Sequence, residues 1–590
     1  MRTPPTLRRR QPARIEDLPG DLHSILRRIY ANRGVVRSDT LELGLAGIAD
    51  YRLFKDIERA VNLLETALTE QWRILIVGDY DADGATSTAV AIRALGAMGA
   101  RHLDYLVPNR FEQGYGLTPA LVASALPLQP QLIVTVDNGV AAHDGVRAAQ
   151  AAGIKVLVTD HHLQGDSLPP AEAIINPNQV GDPFPSKALA GVGVIFYLMS
   201  ALRARLRDVS WFGDALPEPR LGDLLDLVAL GTVADVATLD RNNRILVEQG
   251  LRRIRAGRAC PGILALLRVA GREATQVAAM DMGFFVGPRL NAAGRMDDMS
   301  IGIECLLTND PERANALAAQ LDALNRDRRA IEQGVREEAV AAVESAIARW
   351  DGRNLPAGIC LYEADWHEGV LGLVAGRVKD RFHRPTVVLA PGSDGFLKGS
   401  ARSVPGVHVR DVLATMDAEQ PGLLVRFGGH AMAAGLTLDA TRLDEFTERF
   451  AATVTRHADA EALQPVLWSD GELMPGEFDL RAAEALRAGG PWGQGFPEPL
   501  FDGLFAVASA REVGQRHLRL QLRDPRDGQL HEAIAFNYAD HGMPFDGGAG
   551  TVRFAFRLGI NDYRGVCKPQ LVIEGYDLAV DERDETSVNS

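Results

Sequence analysis

LIVGDYDADGATST, Leu75–Thr88, joins an apolar run to three closely spaced carboxylates, Asp79, Asp81 and Asp83. The run Arg73–Val77 shows no polar alternation, which suits a strand buried on both faces of a parallel sheet. A helical pattern follows over Ala85–Met98. The stretch therefore reads as strand, glycine-containing turn and helix, with Asp81 and Asp83 on the turn. Like charges this close repel one another, and folding alone does not ask for them. Something must neutralise them.

Two more runs of the same kind follow, Gln131–Val136 (QLIVTV) and Lys155–Thr159 (KVLVT). Strands of this type alternating with helices predict a doubly wound α/β domain. Ligands in such sheets sit at the carboxyl ends of the strands. Each run ends there in an acid: Asp79, Asp137 in VDNG, and Asp160 in DHH, followed by His161 and His162. GTVADV adds Asp235. Each piece alone has a plain structural reading. Asp79 and Asp235 suit helix caps, Asp137-Asn-Gly suits a turn, and a His-His pair suits a surface. Together, in this order, they predict a site for divalent metal. Carboxylates with little imidazole favour Mn²⁺ or Mg²⁺ over Zn²⁺, and the donors suffice for two ions. Paired ions stabilise the attacking and leaving oxygens of a phosphoester displacement.

The rest of the chain bounds what such a site serves. Its 590 residues predict about three to five domains. Hydrophobic and charged fractions of 46% and 24% are ordinary for a globular protein. There is no membrane-length apolar run and no signal-peptide core, so no membrane association is expected. RTPPTLRRRQPAR at the start reads as a disordered arm. Cys260, Cys305, Cys360 and Cys567 are isolated, which argues against disulfides and zinc and for a reducing, cytoplasmic setting. The net charge of −14 weighs weakly against a polyanionic substrate, although a local basic groove and metal ions can offset it.

From Pro311 to about Trp350 apolar residues recur at helical spacing, predicting a strut roughly 60 Å long between domains, with two helices broken near Gly334 as the rival. A second α/β unit follows. In its KGSARS, Ser400 and Arg402 offer a hydroxyl and a guanidinium fork to phosphate. In its FGGHAMAAG, Gly428 and Gly429 allow close backbone approach, His430 is a donor, and the segment beyond is read as opening a helix toward an anion. From about Pro499, alternating strands suggest a small barrel, with an OB-fold leading. Its Arg516, Arg519, Arg553 and Arg557 suit a phosphate backbone. VPNRFEQGYGL combines Arg110 with Phe111 and Tyr115, a phosphate contact beside stacking rings. In GPRLNAAGRMDD, Arg289, Asn291 and Arg295 are read as lining a path between domains, with an ion pair to Asp297 as the rival for the arginines.

GDYDADG, VDNG, DHH and GTVADV, in this order, resemble the motifs of the DHH phosphoesterase superfamily. KGSARS and GGHAMAAG resemble its companion DHHA1 domain. With GPRLNAAGRMD between them and a terminal barrel, the combination resembles the superfamily's bacterial single-strand-specific DNA exonucleases over roughly residues 40–580. The resemblance implies metal ligation by Asp81, Asp83, Asp137, His161 and Asp235, with Asp137 bridging two ions. It implies His162 beside the scissile phosphate and Asp160 orienting a histidine. Many members carry a histidine where this chain has Val77, which leaves the first ion to water or Asp79. The implied activity is metal-dependent exonucleolysis of single-stranded DNA, 5′ to 3′, releasing 5′-mononucleotides in recombination and repair. The implied arrangement is a cleft walled by the DHH and DHHA1 units, with the barrel guiding the strand. Partners would be single-stranded DNA, single-strand-binding protein and a RecQ-type helicase. The expected division is an N-terminal arm (1–45), a catalytic domain (46–245), a helical region with the long helix (246–350), a phosphate-clamp domain (351–457) and an OB-like domain (458–590). Two rivals stay open: another DHH activity on short oligonucleotides, cyclic dinucleotides or pyrophosphate, and a non-catalytic single-strand-binding scaffold.

Overall fold

The computed structural model describes residues 5–11, 18–108, 114–348, 355–366, 368–392, 395–459, 461–514, 517–538, 551–563 and 566–576. Arg110, Phe111 and Arg516 lie outside them. The chain divides into two compact units, one of Ala13–Arg328 with Ala485–Glu498, the other of Met1–Pro12, Arg329–Glu484 and Pro499–Ser590.

The first described strand corrects an expectation. Part of the arm read as disordered is β1 (Thr6–Arg9), which pairs in parallel with a strand at Val466–Ser469 of its own unit. Leu7, the lone apolar residue among arginines, is fully buried. Arg9 reaches Asp502, Nη2 to Oδ2 at 2.7 Å. Asp502 is itself buried and also accepts from Ser469 and Arg553. A buried carboxylate needs such partners, and the arm is ordered by supplying one of them.

In the first unit, α1 (Ser24–Ala31) precedes a five-stranded sheet of β2 (Ile74–Val77), β3 (Leu103–Leu106), β4 (Leu132–Val136), β5 (Lys155–Thr159) and β6 (Ala173–Ile175). All pairings are parallel and the order is β3-β2-β4-β5-β6. The order reverses between β2 and β4, so a crevice opens at their carboxyl ends. β2 and β4 are buried along their whole length, as their unalternated apolar composition predicts. The helix after β2, α2 (Ala82–Ala97), starts three residues earlier than its periodicity suggests. Asp81 is its N-cap, with Oδ1 accepting from the Gly84 N–H at 2.9 Å. Asp83 is therefore in the first helical turn, not on the preceding loop. Ala82–Ala91 is buried throughout. Its small side chains allow close packing with α3 (Gly191–Asp208) and α4 (Leu225–Ala234). Then come α5 (Arg241–Arg255), α6 (Gly287–Met296) and the long α7 (Pro311–Ala348), a continuous helix of 38 residues within which the division between units falls.

The second unit holds a mixed sheet of β7 (Ile359–Tyr362), β8 (Thr386–Pro391), β9 (Phe396–Arg402), β10 (Leu424–Gly429) and β11 (Ala433–Asp439), ordered β10-β11-β9-β8-β7. β12 (Val466–Ser469) is the partner of β1. A closed barrel follows, built from β13 (Phe501–Val513), β14 (His517–Arg523), β15 (Leu530–Ala535), β16 (Thr551–Tyr563) and β17 (Val566–Tyr576). Phe501, Phe505, Phe554 and Phe556 fill it. The alternation of HLRLQLR shows as Leu518, Leu520 and Leu522 buried between more exposed neighbours.

Candidate metal centre

The turn after β2 brings three carboxylates together by three different anchors. Asp79 is buried, and its Oδ1 accepts from the Tyr80 N–H at 2.7 Å. Asp81 caps α2 as described. Asp83 is fully buried, its two oxygens taken by the N–H groups of Gly191 and Val192 at 2.7 and 2.9 Å. Those N–H groups open α3, so a helix N-terminus holds the charge. Burial, followed by the charge of Asp81, pushes both Asp79 and Asp83 up to about 7.

Asp137 leaves β4 in the left-handed region, φ 62°. It packs so tightly on α3 that a Cβ on Gly191 would lie 2.7 Å from its own Cβ, so only glycine fits there. Its Oδ1 stands 3.0 Å from His161 Nε2. Both atoms are buried, and neither has a hydrogen-bond partner among the described residues. His161 Nε2 is also 3.9 Å from Asp83 Oδ2 and 3.9 Å from Asp235 Oδ2. Burial, then the neighbouring His162, holds His161 down to about 4, so its ring is neutral at pH 7. The ring also hydrogen-bonds the Leu189 backbone, an arrangement that fixes the orientation of a metal-binding imidazole. Burial and the surrounding carboxylates raise Asp137 well above its usual range, and Asp235 to about 8.

Donor atoms thus form three overlapping sets, each within 4.8 Å: Asp79, Asp81 and Asp137; Asp83, His161 and Asp235; and Asp137, His161 and His162. Asp137 belongs to two of them. An orphaned carboxylate oxygen facing an orphaned imidazole nitrogen, ringed by further acids, fits a pair of divalent cations. The donor chemistry suits Mn²⁺ or Mg²⁺. Val77 offers no donor and is fully buried in the apolar cluster that also holds Leu117, Leu121 and Ile133. Asp79 takes part in the set nearest to it.

Asp160 is fully buried but faces inward to its own loop. It accepts from the N–H groups of Val140, His161 and His162 and from His162 Nδ1, the last at 2.8 Å. Burial alone would lower His162, but the Asp160 hydrogen bond and charge outweigh it and lift the ring to about 9. The loop is also held by two amides that sequence reading missed. Asn176 and Asn178 donate to the carbonyls of His162 and His161, at 2.9 and 2.5 Å. The Asn-Pro-Asn of IINPNQ was the available signal.

Tyr115 is brought to the centre. Its hydroxyl donates to the Asp137 carbonyl at 3.3 Å, and its ring meets Tyr80 and His162 edge-on. At 49% exposure it presents a ring to solvent beside the acids. Asn291 has a different place from the one expected. Its Oδ1 accepts from the Ala82 N–H at 2.7 Å, so α6 supports the aspartate turn. Arg289 is a correction as well: it is buried, bonded to Asp322 and the Phe285 carbonyl, and joins α6 to α7 instead of lining a substrate path. Arg295 is exposed at the end of α6.

In the second unit, Ser400 on β9 pairs with Gly435 on β11, which pairs with Gly428 on β10. Arg402 pairs with Ala433 and donates to Ser400 Oγ at 3.0 Å. The two motifs therefore meet on one sheet. The helix expected after Gly429 is replaced by a hairpin that places His430 in its turn, where the His430 N–H donates to the Ala433 carbonyl at 2.8 Å, and continues into β11. Small residues such as Ala434 and Gly435 let the three strands pair closely, and the backbone groups are satisfied by β9. Arg553 is the last correction. Its guanidinium is committed to Asp502 and Glu472 inside the unit.

Family models match this chain in three places: the DHH family N-terminal domain over residues 73–232, the DHHA1 domain over 356–456, and the RecJ OB domain over 469–575. The single-stranded-DNA-specific exonuclease RecJ of Dickeya dadantii is 54% identical over 567 residues, covering 96% of this chain and 98% of that protein. The chain belongs to the RecJ family. Two solved RecJ structures from Thermus thermophilus are similar to it across 94% of its length. The Mn²⁺ complex has a TM-score of 0.74 at 30% identity and 76% coverage of that chain. The Mg²⁺ complex has a TM-score of 0.69 at 28% identity and 75% coverage. The RecJ architecture therefore frames the aspartate turn, the DHH loop and the barrel alike.

Proposed function

We propose that this chain is a metal-dependent exonuclease on single-stranded DNA that proceeds 5′ to 3′, releases 5′-mononucleotides and serves recombination and repair. The observation that carries the reading is the pair of orphaned donors, Asp137 Oδ1 and His161 Nε2, facing each other at 3.0 Å. Membership of the RecJ family supports the substrate. When bound, two Mn²⁺ or Mg²⁺ ions supply an activated water and stabilise charge at the scissile phosphate. Asp79, Asp81, Asp83, Asp137, His161 and Asp235 would hold them. Asp160 keeps His162 protonated and aimed, so that His162 can donate to a phosphate oxygen. Ser400, Arg402, Gly428, Gly429 and His430 form the phosphate clamp, while Arg110, Tyr115 and Arg295 guide the strand.

The same reading assigns 1–45 to an arm, 46–245 to catalysis, 246–350 to the connecting helices, 351–457 to the clamp and 458–590 to strand binding. It places the enzyme in the cytoplasm, working with single-strand-binding protein and a RecQ-type helicase. No helix among the described residues is long and apolar enough to cross a membrane. Single strands labelled separately at each end, with a circular strand as control, test the activity. Mononucleotides appearing first from the 5′ label are expected. Rapid cleavage of the circle, or release first from the 3′ label, would overturn the reading.

A further inference from the structure

The loop between α4 and α5 carries Asp235 and is under backbone strain. Asp235 ends α4, and the next residue, Val236, has φ 58°. A β-branched side chain rarely tolerates the left-handed region and holds it only where the surroundings over-determine it. The far end of the loop is pinned by Asp240, which caps α5 and accepts from Ser186 Oγ at 2.6 Å. The middle is held by a segment distant in sequence, Gly490–Pro497 (GPWGQGFP). The Gln494 carbonyl accepts from the Leu239 N–H at 2.7 Å. Gly495, at φ 73°, lies so close that a Cβ on it would stand 2.4 Å from Thr238 Cγ2.

This segment is itself anchored in the first unit. Gly493 and Phe496 exchange backbone hydrogen bonds at 2.9 and 3.1 Å, closing a turn. The Trp492 and Phe496 rings stack at 5.2 Å. The Arg244 guanidinium of α5 lies 3.8 Å from the Phe496 centroid, a desolvated cation–π contact. Tyr30 of α1 donates to the Gly489 carbonyl at 2.7 Å. Arg33 donates to the Pro497 carbonyl.

We infer that Gly490–Pro497 is a positioning strap for the metal centre: through Gln494, Gly495 and Phe496 it holds Thr238 and Leu239, and so keeps the strained Val236 and the carboxylate of Asp235 in place for metal. The inference rests on the metal-centre reading above. Phe496 and Gly495 are positioning residues that touch neither metal nor substrate. Groups that orient metal ligands typically cost about 10- to 100-fold in affinity when lost.

The test is Mn²⁺ binding to the full-length protein by calorimetry, with thermal unfolding in EDTA measured alongside. Gly495→Ala pushes against Thr238 and is expected to weaken Mn²⁺ binding about tenfold. Adding Thr238→Ser removes the opposing Cγ2 and is expected to restore part of that loss, the left-handed backbone at residue 495 keeping the rest. Phe496→Leu keeps an apolar side chain, loses the ring under Arg244, and serves if Gly495→Ala does not fold; it is expected to weaken binding in the same direction. Lower unfolding temperatures with unchanged Mn²⁺ affinity would make the strap a structural element only and overturn the inference. Failure of the unaltered protein to bind Mn²⁺ would overturn the metal reading together with it. Loss of binding in Asp137→Asn but not in the strap variants would overturn the strap alone.

Discussion

Asp137 and His161 point an oxygen and a nitrogen at each other across 3.0 Å with no hydrogen bond to join them. With the ring neutral and the carboxylate ionised, both atoms offer lone pairs, and a bound cation would turn that repulsive contact into shared ligation. Asp137→Asn removes the charge, keeps the shape, and tolerates the left-handed backbone that alanine would strain. Turnover should fall by at least about a thousandfold, about 4 kcal/mol of transition-state stabilisation. The unfolding temperature in EDTA should hold or rise. Near-normal turnover of the purified variant with Mg²⁺ or Mn²⁺ would refute the two-ion assignment.

Metal-free protein should lose stability as pH rises. Asp79 and Asp83 at about 7 and Asp235 at about 8 keep their protons in the folded chain where the unfolded chain, at 3.8, has lost them. Their ionisation therefore weakens the fold between about pH 4 and 8. His162 adds to this: its bond to Asp160 is fully present below 6.5 and lost as pH rises through about 9. His161, held down to about 4, opposes the trend only below 6.5. Melting in EDTA should thus occur at a lower temperature at about pH 8.5 than at about pH 6.5, and saturating Mg²⁺ should shrink the difference. A melting temperature that rises over this range without metal would contradict the assigned couplings.

Arg553 and Arg519 on the barrel should behave oppositely. Arg553→Ala leaves buried Asp502 with Arg9 and Ser469 as partners and should cost about 1.5–3 kcal/mol of stability in the second unit. Arg519 is half-exposed and paired with Glu532 at 3.0 Å. Arg519→Ala should leave stability within about 0.5 kcal/mol and lower the salt dependence of binding to long single strands. Chemical denaturation and binding titrations at several salt concentrations separate the two. Equal effects of both variants on strand binding would argue against this division.

Arg402 donates to Ser400 Oγ and the Ala401 carbonyl, and no ion pair to it is present among the described residues. A half-buried guanidinium without a carboxylate is suited to an incoming phosphate. Arg402→Ala should raise KM about tenfold or more, and Arg402→Lys should recover only part, because an ammonium cannot reproduce the fork. Steady-state kinetics on 5′-phosphorylated and 5′-hydroxyl strands measure this. An equal KM for both variants and the unaltered enzyme would remove Arg402 from the clamp.

The catalytic sheet is legible in the sequence because parallel strands buried on both faces must be apolar without interruption, as Ile74–Val77 and Leu132–Val136 are. The acids are legible because they interrupt that pattern at strand ends. What escapes depends on distant partners. Leu7 marks a strand only once Leu467 is beside it. Arg289 is indistinguishable from a substrate-binding arginine until Asp322, 33 residues on, takes its charge. Gly429 precedes residues with helical propensity, yet pairing of β11 with β9 decides for a hairpin. Asp83 reads as a loop residue because Gly84 resembles a turn glycine, while the cap at Asp81 starts the helix sooner.

The pairing of Leu7 with Leu467 also has a consequence for synthesis of the chain. At roughly 5–20 residues per second, about 20–90 s separate the emergence of the two from the ribosome. Thr6–Arg9 spends that time without its strand partner, while the strands of Ala13–Arg328 are already free to pair behind it. A deletion of the first ten residues would therefore act at a distance, leaving the earliest-made sheet untouched and withholding from buried Asp502, made near the end, one of its arginines.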